Sequence, residues 1–149
     1  MSLKEDVDQD IRAAIKAQAQ DRLRAFRAIK SMILIAETEK GNRNGLAPDM
    51  EMNLLMKAIK QRKDSADLYK EQGRDDLYQK EIEELEVIRK YLPKQLSEGE
   101  LQEELQTIIL EVGATSIKEM GQVMGYASKA LAGKADGKSI SALVRKLLS

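Results

Sequence analysis

Apolar residues recur three and four positions apart along most of the chain, which is the spacing of one face of an α-helix. The first predicted helix opens at a capping box formed by Ser2 and Glu5. A second follows a weak break near residues 18–21, with Asp21 as its candidate cap and Gly41 as its end. The apolar positions of these two helices are Leu3, Val7, Ile11, Ala14 and Ile15, then Leu23, Phe26, Ile29, Ile33 and Ala36.

Two longer helices are predicted after the loop GNRNGLAP, residues 41–48. The third helix starts at Asp49 and extends to Gly73. The fourth covers residues 75–91 and ends before Pro93, because the residue preceding a proline is disfavoured in helical geometry. The short turn around Gly73 predicts that these two helices form a long antiparallel hairpin.

The segment YLPKQLSEGEL, residues 91–101, is the best candidate for a domain boundary. Pro93 stops one helix, and Ser97 with Glu100 forms a second capping box that starts another. Three short helices are predicted beyond it, over residues 98–112, 117–131 and 137–148. Ser116 with Glu119 would open the second of them, and Asp136 or Ser139 the third. The sequence therefore predicts an all-α fold with an N-terminal helical domain (1–94) and a small three-helix domain (97–149).

The amino-acid composition excludes several kinds of functional site. Cysteine and histidine are both absent from the 149 residues, which excludes disulfides, Cys/His zinc sites, thiol nucleophiles and histidine bases. Net charge is zero, so a general polyanion-binding coat is not indicated. The N-terminal residues do not resemble a signal peptide, and no apolar run is long enough to span a membrane. We expect a cytoplasmic protein without cofactor, metal or membrane partner.

Enzymatic motifs are also missing. Carboxylate pairs lie beside lysine and arginine at helical spacing, which is typical of a solvated face. GKADGKS, residues 133–139, has a P-loop spacing that is one residue too short, and it follows a helix rather than a strand. The charged stretch 57–77 is either a salt-bridged exposed face or the edge of a binding groove that includes Arg62 and Tyr69. We identify no catalytic residue.

Charge is unevenly distributed in the last third of the chain. Residues 97–111 contain five acids and no base, whereas residues 118–149 contain six bases and two acids. Gly121 and Gly125 lie four apart in a predicted helix, where each glycine costs roughly 1 kcal/mol relative to alanine. Their spacing indicates close approach of something to the backbone, either a neighbouring helix of the same bundle or a partner such as an RNA backbone. The candidate nucleic-acid-binding residues are Lys118, Gly121, Gly125, Lys129, Lys134 and Lys138.

Several segments together resemble the YqeY-like proteins. They are RLRAFRAIKSMILIAETEKG, then KQRKDSADLYKEQGRDDLYQKEIEELEVIRKYLP, then YLPKQLSEGEL followed by GATSIKEMGQVMGYASKALAGKADGKSISALVRKLL. This family is related to the tail domain of the B subunit of the glutamine-dependent aminoacyl-tRNA amidotransferase (GatB/YqeY). The resemblance implies a four-helix N-terminal part, a three-helix tail, and a tRNA-facing role for the six candidate residues.

Three functions follow from these observations. The favoured one is a non-catalytic tRNA-binding module, or an accessory to a tRNA-modifying enzyme. The alternative is a protein–protein adaptor that uses the N-terminal hairpin, where MEMNLLM (residues 50–56) offers an adaptable surface. The least supported is the carbon–nitrogen ligase activity with glutamine as amido-N-donor that the resemblance implies, because residues for handling ATP, metal and ammonia are not visible in the sequence.

Overall fold

The computed structural model of the chain describes residues 2–39, 41–42 and 44–149. These residues contain seven α-helices, one short 3-10 helix and no strand, which confirms the predicted all-α class. No described helix is both long and apolar enough to cross a membrane. The chain divides into two compact units, Met1–Leu92 and Pro93–Ser149. Arg43 of the predicted loop lies outside the described residues, as do Met1 and Lys40.

Four helices form the N-terminal unit: α1 (Leu3–Lys16), α2 (Gln20–Glu37), α3 (Pro48–Glu71) and α4 (Asp75–Arg89). They bury a continuous, mainly aliphatic core, in which Phe26 is the buried aromatic residue among those the structure describes and the partly buried Tyr91 packs against it. The largest fully buried side chains of this core are Val7, Ile29, Leu55 and Ile88. Ile15 was predicted to lie on the buried face of α1, but it is 53% exposed in the last turn of the helix.

The turn between α1 and α2 is closed by the backbone. Gln18 adopts a left-handed φ of 56°, and the Ala19 amide donates to the Ala14 carbonyl at 3.0 Å. Helix α2 consequently begins at Gln20 without a side-chain cap. The prediction that Asp21 caps this helix is therefore wrong: its carboxylate lies in the first turn and pairs with Arg24.

The connection between α2 and α3 starts earlier than predicted. Helix α2 ends at Glu37, four residues before Gly41, and the side-chain amide of buried Asn42 donates to the Ala36 carbonyl at 3.0 Å. Helix α3 begins at Pro48 rather than Asp49. A proline suits the first helical position for two reasons. Its φ is already helical, and the backbone N–H that it lacks would have no hydrogen-bond partner at that position.

Helices α3 and α4 pack against each other on either side of a turn at Gly73, whose φ is 70°. Lys70 lies over the Tyr78 ring at 5.8 Å, and Arg62 pairs with Glu84 at 3.4 Å. These two contacts join α3 to α4 at different distances from the turn. Helix α4 ends at Arg89, slightly before the predicted end at residue 91.

The C-terminal unit contains α5 (Glu98–Val112), the 3-10 helix (Ile117–Glu119), α6 (Met120–Ala130) and α7 (Gly137–Leu148). Its core is separate from that of the N-terminal unit, and Leu105, Val123 and Val144 are fully buried in it. The predicted capping box at the start of α5 is confirmed: the Glu100 amide donates to Ser97 Oγ, and the Ser97 amide donates to Glu100 Oε1. This exchange lowers the pKa of the Glu100 carboxyl.

The other two helix starts of this unit differ in their caps. Asp136 caps α7 by accepting from the Ser139 amide at 2.6 Å, which selects it over Ser139 as the cap. The prediction that Ser116 with Glu119 caps the preceding helix is wrong. Ser116 makes no side-chain cap bond, a 3-10 turn comes first, and Glu119 accepts from the amide of Thr115.

Candidate nucleic-acid interface

Helix α6 has one buried face and one solvent face. Val123 and Ala127 are fully buried in the core of the C-terminal unit. Residues three and four apart share a helix face, so Gly121, Gly125 and Lys129 align on the opposite, exposed side. Lys118, in the preceding 3-10 turn, is exposed as well. We call Lys118, Gly121, Gly125 and Lys129 the glycine face.

The two glycines of this face meet no neighbour. A Cβ built on Gly121 or Gly125 has no atom within 4 Å outside its own helix and chain neighbours. Close packing of a helix from the same bundle was one of the two explanations for this glycine pair, and the structure does not show it. The backbone of α6 is therefore accessible to a partner along this face.

The lysines at the two ends of the glycine face are available for ionic contacts. Lys118 and Lys129 are exposed, and neither forms an ion pair with another described residue. They lie eleven positions apart in sequence. With a rise of about 1.5 Å per helical residue, they would be separated by roughly 16 Å along the helix axis.

The remaining two candidates lie outside this face. Lys134 lies in the turn between α6 and α7, where its carbonyl accepts from the Leu96 amide at 2.9 Å and its side chain is exposed. Lys138 is exposed at the second position of α7. The structure therefore groups four of the six predicted residues on the surface of α6 and its preceding 3-10 turn. It places Lys134 in the α6–α7 turn and Lys138 at the start of α7.

Sequence reasoning missed Tyr126, which lies beside the glycine face on α6. It is 49% exposed, and its hydroxyl lies 3.4 Å from Glu111 Oε2. An exposed aromatic ring beside a surface that carries lysine side chains is suited to stacking on a base. The sequence could have indicated it, because Tyr126 directly follows Gly125 and therefore lies next to the face that the two glycines define.

Arg62, one residue of the charged stretch 57–77, is engaged within the N-terminal unit. Arg62 pairs with Glu84, and both side chains are about 15% exposed. The Nε atom of Arg62 is buried and has no hydrogen-bond partner among the described residues. Burial raises the pKa of Glu81, although nearby Arg62 opposes that rise. Because Arg62 is turned into the α3–α4 contact, it is not available as the edge of a surface groove.

The part of the chain that the structure describes contains no group of three or more acidic side chains placed to hold a metal ion. Among comparisons with known proteins, a family model described as Yqey-like protein matches residues 4–148. No curated protein matches the chain.

Proposed function

Because the chain belongs to the YqeY-like family, we propose that it is a non-catalytic module that binds tRNA, or a tRNA-bearing enzyme, through its C-terminal unit. In this proposal α5, α6 and α7 act as the tail-like domain, and the glycine face of α6 lies against the RNA backbone. The observation behind this proposal is the open space above Gly121 and Gly125 between two unpaired lysines.

The expected mode of recognition is contact with phosphate and ribose rather than with base edges. Lys118 and Lys129 pair with phosphates, and the absence of a Cβ at the two glycines lets the strand approach the helix closely. Tyr126 adds one stacking surface. Structured RNA is bound largely by shape and backbone, which fits a surface with a single exposed aromatic ring.

A filter-binding titration against total tRNA tests the proposal. Binding should be measurable at about 50 mM salt and markedly weaker at about 200 mM, because phosphate contacts release counterions. The double variant Lys118→Gln/Lys129→Gln should reduce both the affinity and the salt dependence. The matched control is Lys16→Gln/Lys80→Gln, which removes two exposed lysines of the N-terminal unit and should bind as the parent does. Folded protein that binds tRNA at neither salt concentration rejects the proposal.

The adaptor function remains a second candidate because of exposed apolar side chains on α2. Leu34 and Ile35 are 44% and 66% exposed, next to a buried face of the same helix. The Met-rich segment is less suited to this role, since Met52 packs against the core. If the chain is an adaptor, Ile35→Glu should abolish capture of a specific partner in high salt after nuclease treatment, while Lys118→Gln/Lys129→Gln should leave capture intact.

A further inference from the structure

The N-terminal unit contains a cleft of about 270 Å³ between α1, the start of α2 and the end of α4. Its floor is apolar and consists mainly of small side chains. This volume is close to the lower limit of small-molecule sites, which begin at about 300 Å³. The cleft therefore suits one compact molecule better than a nucleotide. The apolar lining residues are Ala13, Ala14, Ala17, Ala19, Phe26 and Val87.

The rim of the cleft contains one carboxylate, and that carboxylate is already engaged. The Tyr91 hydroxyl donates a hydrogen bond to Asp10. The Tyr91 ring is held edge-on against Phe26, with centroids 6.2 Å apart and planes at 75°. Burial, together with the Asp10 carboxylate, raises the pKa of Tyr91, so its hydroxyl stays protonated and keeps donating to Asp10 at neutral pH.

The two cations of the rim are not engaged. Arg22 and Lys90 both line the cleft and are exposed, and neither pairs with another described residue. Together with Asp10 they give the lining a net charge of about +1 at neutral pH. A mostly apolar lining that also includes two cations without an ion pair fits a molecule with an apolar body and a single negative charge.

We propose that this cleft binds a small monocarboxylate with a compact aromatic or branched aliphatic body. The body lies on the alanine-rich floor against Phe26, and the carboxylate pairs with Arg22 and Lys90. This site is independent of the tRNA proposal, because all of its lining residues belong to the N-terminal unit.

The test is a titration of the full-length, ¹⁵N-labelled chain with phenylacetate, followed by amide chemical shifts. Saturable shifts are expected in residues 13–22 and 87–91, with a Kd of about 1 mM, the affinity of a weak small ligand. Phenylacetamide has the same body without the charge and should bind at least about fivefold more weakly, since two exposed ion pairs contribute about that much together. No saturable shift up to ~10 mM, or equal binding of the amide, overturns the proposal.

Two variants locate the contacts. Arg22→Gln/Lys90→Gln should weaken phenylacetate binding about fivefold, while Arg12→Gln/Lys16→Gln, on the same unit but outside the cleft lining, should leave it unchanged. Ala13→Leu places an isobutyl group in the cleft and should abolish binding. Ala13 is exposed, so this variant should melt as the parent does. Parental affinity in folded Ala13→Leu would show that the cleft is not the site.

Discussion

Among single residues, the two glycines of α6 are notable because no neighbouring atom of the described residues packs against them. Neither has a positive φ, and a Cβ at either position would contact nothing within 4 Å. Fold stability therefore gives no reason for glycine at these positions. Local sequence can reveal such a pair, but whether a neighbour covers it depends on how α5 and α7 pack, which is a property of the whole unit.

Gly125→Ala should stabilise the protein. Replacing an exposed glycine inside a helix by alanine contributes about 1 kcal/mol, and no clash opposes it here. Denaturant unfolding followed by helix content measures the change. Gly113→Ala is the matched control: this glycine also has open space but a φ of 77°, so alanine there should destabilise the protein by about 1 kcal/mol. Loss of stability in Gly125→Ala would mean that the open face is not present in solution.

The Tyr91 hydroxyl should make stability fall at high pH. Its pKa is raised in the folded state by burial and by Asp10, so the stabilisation is fully present below the unfolded value of about 10 and declines as the pH rises above it. Tyr91→Phe should cost roughly 1 kcal/mol at neutral pH and should flatten the decline between about pH 9 and 11. An equally steep decline in the variant would show that ionisable groups other than the Tyr91 hydroxyl cause the loss of stability at high pH.

At the scale of elements, the sequence predicted helix starts well where one side chain makes the cap. Ser97 with Glu100 and Asp136 have this local chemistry, and the structure shows the predicted bonds. The predictions failed at Asp21 and Asp49, because the starts of α2 and α3 depend on a left-handed Gln18 and on Pro48. The prediction at Ser116 failed because a 3-10 turn precedes α6. Long-range contacts such as that between Tyr91 and Asp10, 81 residues apart, leave no periodic signal.

The capping box of α5 should contribute measurably to stability. Ser97→Ala removes the acceptor for the Glu100 amide and should cost about 1 kcal/mol, a typical loss for an N-cap serine. Chemical denaturation monitored by helix content tests this. Ser128→Ala, at an exposed position inside α6, is the control and should change stability little. If Ser97→Ala unfolds at the parental midpoint, the cap is not a stabilising contact.

At the scale of the whole molecule, the chain has two compact units with separate cores. The sequence placed the division between residues 94 and 97, and independent folding of the two parts stays a prediction. All six candidate residues for tRNA binding belong to the C-terminal unit, whereas the proposed carboxylate cleft belongs to the N-terminal unit. The family match covers both units, so it does not by itself assign either function to one of them.

The segment 93–149 expressed alone should fold and bind tRNA as the full chain does. It retains a complete aliphatic core and the bonds that join residues 95 and 96 to the α6–α7 turn. Circular dichroism and the tRNA titration test both parts of this prediction. A folded segment with no affinity, beside a full chain that binds, would place the interface at least partly in the N-terminal unit.

The proposed RNA contact at α6 is tested by comparing the tRNA affinities of Gly125→Leu and Gly125→Ala, after denaturant unfolding has shown that both variants are folded. The two variants differ only in the size of the side chain at the glycine face. Gly125 is exposed and a Cβ there meets nothing within 4 Å, so we expect both variants to fold as the parent does. We expect a small loss of tRNA affinity for alanine and a loss of about tenfold for leucine, equivalent to ~1.4 kcal/mol of binding free energy. Parental affinity in a folded Gly125→Leu protein would contradict the claim that RNA approaches α6 at this face.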